Sequence, residues 1–330
     1  MSVSVCIPTY NQSLYLELAV RSAYNQTLKP DEIIVSNDCS TDDTKSVLDK
    51  LQKEIPTLKV IYQPLNLGIA KNVDTCLRAA SSDYIIRLDS DDLLKPRYAE
   101  TLVRQMELFP EAGYAHAAVQ EIDQYGNKTR IRNLMRVSGY QSGEDALKLA
   151  IKGYKVAANI ILFRRQALEK VNFVSCKANF AEDYYMVTSI SVAGFGNIYL
   201  NEILSNYRVW SDSAKVRQKR KMDEIIGFNE VITDVIEPAF KNKNWNIASL
   251  KKMRENLAIN HANCLGWDNY NRAEKEELLK KILELSDSRK VKFMVWIYMN
   301  KFGFFISNYN QLIFNSKSML KRLIILYRKN

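Results

Sequence analysis

The stretch YIIRLDSDDLLKP, Tyr84–Pro96, decides how the first two thirds of the chain is read. An apolar run there ends in three carboxylates within four positions, Asp89, Asp91 and Asp92. Carboxylates that close repel one another and lose hydration if buried, so a folded chain needs a reason to hold them together. They could form a solvated cap on a helix starting near Pro96, where aspartate is common and favourable. They could instead offer oxygen ligands to a hard divalent cation, Mg2+ or Mn2+, shared with a phosphate.

Upstream, VSVCIP (3–8), DEIIVS (31–36) and LKVIYQ (58–63) read as short apolar strands, and DYIIRL (83–88) is a fourth. Between them lie helical stretches: one expected to be capped by Ser13, a second through STDDTKSVLDKLQKEI, and a third over residues 69–80. Strands alternating with helices of that length predict right-handed βαβ units and a parallel sheet. In such sheets ligands gather beyond the carboxyl ends of the strands. Residues 8–11, 37–38, 66–68 and 89–92 all fall on those ends, which favours the cation over the cap. Beyond a helix near 96–109 come a hairpin with YGN in its loop, a helix in GEDALKLAIKG and a strand in VAANIILFRR. The acidic pair Glu182–Asp183 opens a further helix, EILSNYRVW (202–210) is a late strand, and the remainder from about Lys215 is helical.

The chain has 330 residues, enough for one large domain or a core domain with an appendage. Its five cysteines are scattered and never form a C-x-x-C pair, which suits a reducing cytosol and argues against a zinc site. Neither a secretory signal nor an apolar run long enough to span a bilayer is read, so a cytoplasmic location is expected. The net charge of +10 is confined to the C-terminal third: residues 1–214 carry 24 basic and 25 acidic side chains, residues 215–330 carry 23 and 12. No G-x-G-x-x-G follows the first strand, and no P-loop or G-x-S-x-G occurs. Neither histidine lies near a candidate nucleophile; His116, in an apolar strand, is expected to be a satisfied core residue.

Five motifs in order, VSVCIPTYNQ, IIVSNDCSTDDT, NLGIAKN, YIIRLDSDDLLKP and AEDYYM, resemble the family 2 glycosyltransferases of the GT-A fold. That α/β fold is Rossmann-like, with a mostly parallel central sheet and helices on both faces. The resemblance covers residues 1–215 and implies a nucleotide-sugar-binding catalytic domain there, with 216–330 as a basic, aromatic-rich helical C-terminal region. It implies that Pro8, Thr9, Tyr10 and Asn11 line the nucleotide pocket, and that Asp38 hydrogen-bonds the imide of uracil. Asn66 and Gly68 would lie near the base and ribose, and Lys71 would join them in binding the nucleotide sugar. Asp89, Ser90 and Asp91 would bind ribose and diphosphate, with Asp91 and Asp89 holding Mn2+ or Mg2+. Asp183 matches the general base of an inverting transfer, and Asp92, Glu182 and Trp210 stand where acceptor or donor sugar is contacted.

The sequence departs from the family pattern at four of these places. Asn37 replaces the first acid of D-D-G-S and Cys39 its glycine; Lys71 stands where arginine is usual, lacking the bidentate fork. Trp210 takes the place of a metal-ligand histidine in Y-R-V-H, and an indole offers no lone pair to a metal. It is expected to be core, or a stacking wall for the acceptor. The implied function is transfer of a sugar, from a UDP-sugar, to a surface polysaccharide or lipid-linked oligosaccharide. Two alternatives are a non-catalytic glycan-binding or membrane scaffold and a sugar-phosphate nucleotidyltransferase; the second lacks its glycine-rich loop after the first strand.

Beyond Asp287 the chain has no acid but nine Lys or Arg and nine aromatics. Basic, aromatic helices lie in a membrane interface, so residues 290–330 are expected to contact the inner face of the cell membrane or a second copy of the chain. No nucleic-acid-binding module accompanies the charge.

Overall fold

The computed structural model describes residues 1–210 and 218–302. The chain divides into two compact units, Met1–Arg217 with Ile226–Ile247, and Gln218–Ile225 with Ala248–Asn330.

The first unit opens with alternating elements: β1 (Val3–Thr9), α1 (Ser13–Tyr24), β2 (Glu32–Asn37), α2 (Thr44–Glu54), β3 (Leu58–Tyr62), α3 (Ile69–Ala79) and β4 (Tyr84–Arg87). These four strands pair in parallel in the order β3-β2-β1-β4. Val3, Val5, Ile7, Ile33 and Val35 are buried because helices cover both faces of the central strands, which is why β1 and β2 read as continuous apolar runs. The strand order reverses beside β1, so a crevice opens beyond the carboxyl ends of β1 and β4.

The sheet then becomes mixed. Next come β5 (Leu93–Leu94), α4 (Tyr98–Leu108), β6 (Ala112–Ile122), β7 (Lys128–Arg132), β8 (Gly139–Gln141), α5 (Gly143–Ala150), β9 (Ile161–Arg164), α6 (Arg165–Lys170), α7 (Glu182–Val192) and β10 (Gly196–Arg208). The strand β9 inserts antiparallel between β4 and β6, and β10 runs parallel to β6 and carries the two-residue β5 on its other edge. The remaining helices are α8 (Lys221–Glu230), a π-helical turn Val231–Ile236, α9 (Glu237–Asn242), α10 (Ala248–Ala262), α11 (Arg272–Leu285) and α12 (Arg289–Met299).

Several local expectations are corrected. Ser13 does not cap α1: the cap position is Gln12, with no side-chain hydrogen bond, while the Ser13 amide donates to Asp42. Strand β9 is shorter than VAANIILFRR because only Ile161–Arg164 reaches β4 and β6. Strand β10 starts at Gly196, earlier than residue 202, because a register shift between Leu200 and Ile203 breaks its apolar pattern.

The boundary foreseen after residue 215 falls outside the described residues. Downstream of it, Ile226–Ile247 belongs to the first unit, where Glu230 accepts the amides of Lys177 and Ala178 and Phe228 meets Phe180 and Tyr184 edge-on. The second unit has its own core of Ile225, Ala258, Ala262, Cys264, Leu278, Ile282 and Val291. Residues 303–330, most of the basic aromatic stretch, lie outside the described residues.

Candidate active site

The first wall is built by β1 and β2, whose ends align at Thr9 and Asn37. The amide of Asp38 donates to the Thr9 carbonyl at 2.9 Å, so Asp38 turns back over the strand ends and is buried. Its two carboxylate oxygens accept the amides of Leu67 (2.7 Å) and Gly68 (3.0 Å), and Asn66 donates to its carbonyl. A single acid thereby ties the N-L-G loop to β2. Gly68 has φ +83°, and a Cβ there would lie 2.6 Å from the Asn179 side chain. Glycine is required both for the left-handed backbone and for the close approach.

Thr9 is buried, Pro8 half-buried, and Tyr10 and Asn11 exposed at the mouth. Asn11 has φ +52° and links its own loop to the next by accepting the Thr41 amide at 2.8 Å. Lys71 is exposed on the first turn of α3. Two asparagines missed by motif reading hold the wall together. The buried Asn72 accepts from Ser36 and donates to the carbonyls of Ser36 and Thr9; Asn179 accepts the Ala70 amide. A buried asparagine that bridges loops in this way has no sequence signature, because its partners lie far away in the chain.

The second wall is the D-S-D-D turn after β4. None of its acids caps α4, whose cap position is Arg97; the Asp92 amide instead closes a turn on the Asp89 carbonyl at 3.0 Å. Asp89 and Asp91 are half-buried and Ser90 is buried. Asp92 is turned into the protein, accepting the Arg208 amide at 2.7 Å. Burial raises the Asp91 carboxyl first; Trp210 opposes that shift and the charge of Asp89 adds to it, with a net rise. Burial also pushes Asp92 well up, reinforced by Asp91 and Asp89.

Trp210 is half-buried rather than plain core. Its indole N–H donates to Asp91 Oδ2 at 2.7 Å, and its ring meets Tyr15 edge-on at 5.0 Å. The Arg208 guanidinium lies 4.3 Å over the Tyr15 ring and donates to the Asp91 carbonyl at 2.8 Å.

The third wall is the start of α7. Glu182 and Asp183 occupy its first turn, where the helix dipole favours anions. The residue that joins this wall to the second is Arg87, fully buried on β4. It donates to Asp89 at 3.2 Å and to Glu182 at 2.9 Å. Asp183, next to that pair, has no ion partner among the described residues; it accepts the Tyr184 amide at 2.6 Å. Burial raises its carboxyl, the Glu182 charge adds to the shift and Arg87 opposes it, leaving it at about 7.

His116 is in the core, stacked on Tyr114 and tilted against Tyr199, but it is not the satisfied histidine expected, since neither ring nitrogen finds a partner among the described residues. Burial, with Arg136 nearby, lowers it to about 3, which favours the neutral ring.

The profile of the family described as Glycosyl transferase family 2 matches residues 4–171. Among curated proteins, a Campylobacter jejuni GalNAc(5)-diNAcBac-PP-undecaprenol beta-1,3-glucosyltransferase is 40% identical over 115 residues, 34% of this chain and 36% of that protein. The chain thus spans about a third of the length of this relative. Among solved structures, a Pyrobaculum calidifontis mannosyltransferase in complex with GDP-Man and Mn2+ superposes with TM-score 0.57 at 19% identity, covering 90% of this chain and 83% of that one. The S. aureus TarS 1–349 complex with UDP-GlcNAc gives 0.55 at 15% identity, covering 86% and 91%. At such identities the likeness is one of fold, and it is the GT-A architecture that the motif order implied.

Proposed function

The chain belongs to glycosyl transferase family 2, and from that premise we propose that it is an inverting glycosyltransferase that moves a sugar from a UDP-sugar to a hydroxyl of a surface polysaccharide or lipid-linked oligosaccharide. The observation that carries this reading is the Arg87 bridge. Residues 95 apart in sequence, Arg87 and Glu182, join the D-S-D-D turn to the start of α7, which supports a shared site for the acids of that turn and Asp183.

In this reading Asp38 and the Asn66–Gly68 loop bind the base, with Pro8, Thr9 and Tyr10 at its face, and Lys71 near the phosphates. Asp183 takes the proton of the acceptor hydroxyl as its oxygen attacks the anomeric carbon. The new C–O bond forms on one face while the bond to the diphosphate breaks on the other, so UDP leaves and the configuration inverts. No enzymic nucleophile is needed.

A divalent cation fits the donor set. Asp91 and Asp89 supply hard carboxylate oxygens, although one oxygen of Asp91 is engaged by Trp210. Among the described residues no cluster of three or more His, Cys, Asp or Glu is poised for a metal, so the remaining ligands would be diphosphate and water, as suits Mg2+ or Mn2+. Such an ion would neutralise charge on the departing diphosphate. An acceptor of this class places the work at the inner face of the cell membrane. No helix among the described residues is long and apolar enough to cross a membrane.

The test is a screen of nucleotide sugars for donor hydrolysis and transfer with Mn2+ present, run beside Asp183→Asn. The variant should bind UDP normally while turnover falls by about 10²-fold or more. Near-normal turnover would remove Asp183 as the base. Failure of every nucleotide sugar to bind would favour a non-catalytic scaffold.

A further inference from the structure

We infer that α12 is a docking surface for an anionic lipid bilayer. In the second unit the large apolar side chains left exposed are Phe293, Trp296, Met299 and Phe302, at 60%, 54%, 53% and 45% exposure, and no others among the described residues. They recur every third position, so three of them share one side of α12 and Phe302 extends it just past the helix. They also touch one another: Trp296 stacks on Phe293 at 6.3 Å and meets Phe302 at 5.6 Å. The opposite side carries Val291 and Val295, which belong to the unit's core. The helix is therefore anchored by one face and offers a contiguous aromatic stripe on the other.

Charge selects the occupant. Arg289, Lys290, Lys292 and Lys301 flank the stripe, and no acid occurs from Ser288 onward. Lys290, one turn from Phe293, also lines a groove of about 610 Å³ with Lys251, Lys252 and Arg254 from α10. The acids in that groove are Glu255 and Asp287. Glu255 is already held by Ser288 at 2.7 Å and approached by Lys290 at 4.0 Å, and Asp287 is paired with Lys292 at 3.1 Å. An apolar stripe with a cationic border matches the headgroup boundary of a bilayer, where aromatic rings insert and lysines meet phosphate. Two copies of the chain joined through the same stripe would instead set their cationic borders against each other. The surface would hold the enzyme where a lipid-linked acceptor resides, but its existence does not depend on sugar transfer.

The experiment is flotation of the full chain with phosphatidylcholine vesicles and with vesicles containing phosphatidylglycerol, a measurement that needs no turnover. The protein should float with the anionic vesicles. Phe293→Ser with Trp296→Ser should weaken binding at least tenfold, and Lys290→Glu with Lys292→Glu should remove the preference for anionic lipid. Brominated lipid should quench tryptophan fluorescence in the parent chain, and this quenching should fall sharply in Trp296→Phe, an aromatic replacement at an exposed position. Failure to float, flotation unchanged in the Phe293/Trp296 variant, or quenching unchanged in Trp296→Phe would each overturn the proposal. So would light scattering that shows a dimer abolished by the stripe variant while vesicle binding persists.

Discussion

Arg87 and Glu182 form a buried ion pair at 2.9 Å, and the same guanidinium reaches Asp89 at 3.2 Å. The arginine is fully buried and Glu182 nearly so, which makes the pair costly to assemble and more costly to break. Burial works against the charge of Arg87, but Asp89, Glu182 and Asp183 outweigh that and hold the guanidinium protonated. The cation thus offsets part of the repulsion among acids that the donor's own charges would otherwise aggravate.

Replacing Arg87 by glutamine leaves Glu182 buried without a counter-charge. We expect a loss of about 3–5 kcal/mol in urea unfolding. Arg87→Lys keeps the charge without the fork, so it should recover part of the stability while UDP binding remains weakened. A glutamine variant as stable as the parent would show that the bridge does not carry the site.

The proposed role of Asp183 as the base fixes a pH dependence. A general base must be ionised, and burial with the charge of Glu182 raises this carboxyl to about 7. Below that value the proton stays on and the base is lost; above it activity reaches a plateau. A kcat/KM profile should therefore rise roughly tenfold per pH unit on the acid side and level off near neutrality. An acid limb centred near the ordinary aspartate value would refute the assignment.

Trp210 supplies Asp91 with a neutral donor where a metal-binding side chain would supply a ligand. Trp210→Phe removes a hydrogen bond to a charged group, so it should lower stability by about 1.5–3 kcal/mol and, by freeing Asp91 Oδ2, alter the affinity for Mn2+–UDP. Trp210→His restores a nitrogen ligand and should tighten Mn2+ binding, read by calorimetry with and without UDP. If neither substitution alters Mn2+ affinity, Asp91 is not a metal ligand.

Away from the site, Glu32 anchors the amino-terminal side of the sheet. It accepts from Ser4 (2.7 Å), Ser81 amide (2.6 Å) and hydroxyl (2.8 Å), and pairs with Lys59 (2.6 Å). Burial alone would raise its carboxyl, but Lys59 and the serines outweigh that and hold it at about 2. The folded state therefore binds its proton less readily than the unfolded chain. Its contribution is full above the unfolded value and is lost as pH falls from there through about 2. Glu32→Gln should cost on the order of 2–3 kcal/mol at neutral pH and flatten the acid limb of a stability profile. An unchanged acid limb would assign that stability elsewhere.

The fold of the first unit was legible because its signals are local. Buried parallel strands must be apolar on both faces, helices between them must show a helical period, and the polar ends of Thr9, Asp38, Gly68 and Asp89 mark where the strands stop. Even so, the register shift in β10 and the return of Ile226–Ile247 to the first unit were hidden, since both depend on what a segment meets rather than on its own pattern.

What the sequence determined by itself was the set of acids, their order along the chain and the strand ends that carry them. Only the tertiary structure decided how each acid is used. Asp92 was indistinguishable from Asp91 in DSDD, yet one is turned inward onto the Arg208 amide and the other is held by Trp210. Glu182 and Asp183 are neighbours in sequence, but Arg87 pairs with the first, and the second has no ion partner among the described residues. A carboxylate's role is set by its burial and by the charges beside it, and those are properties of distance in space, which residues 95 apart acquire only on folding.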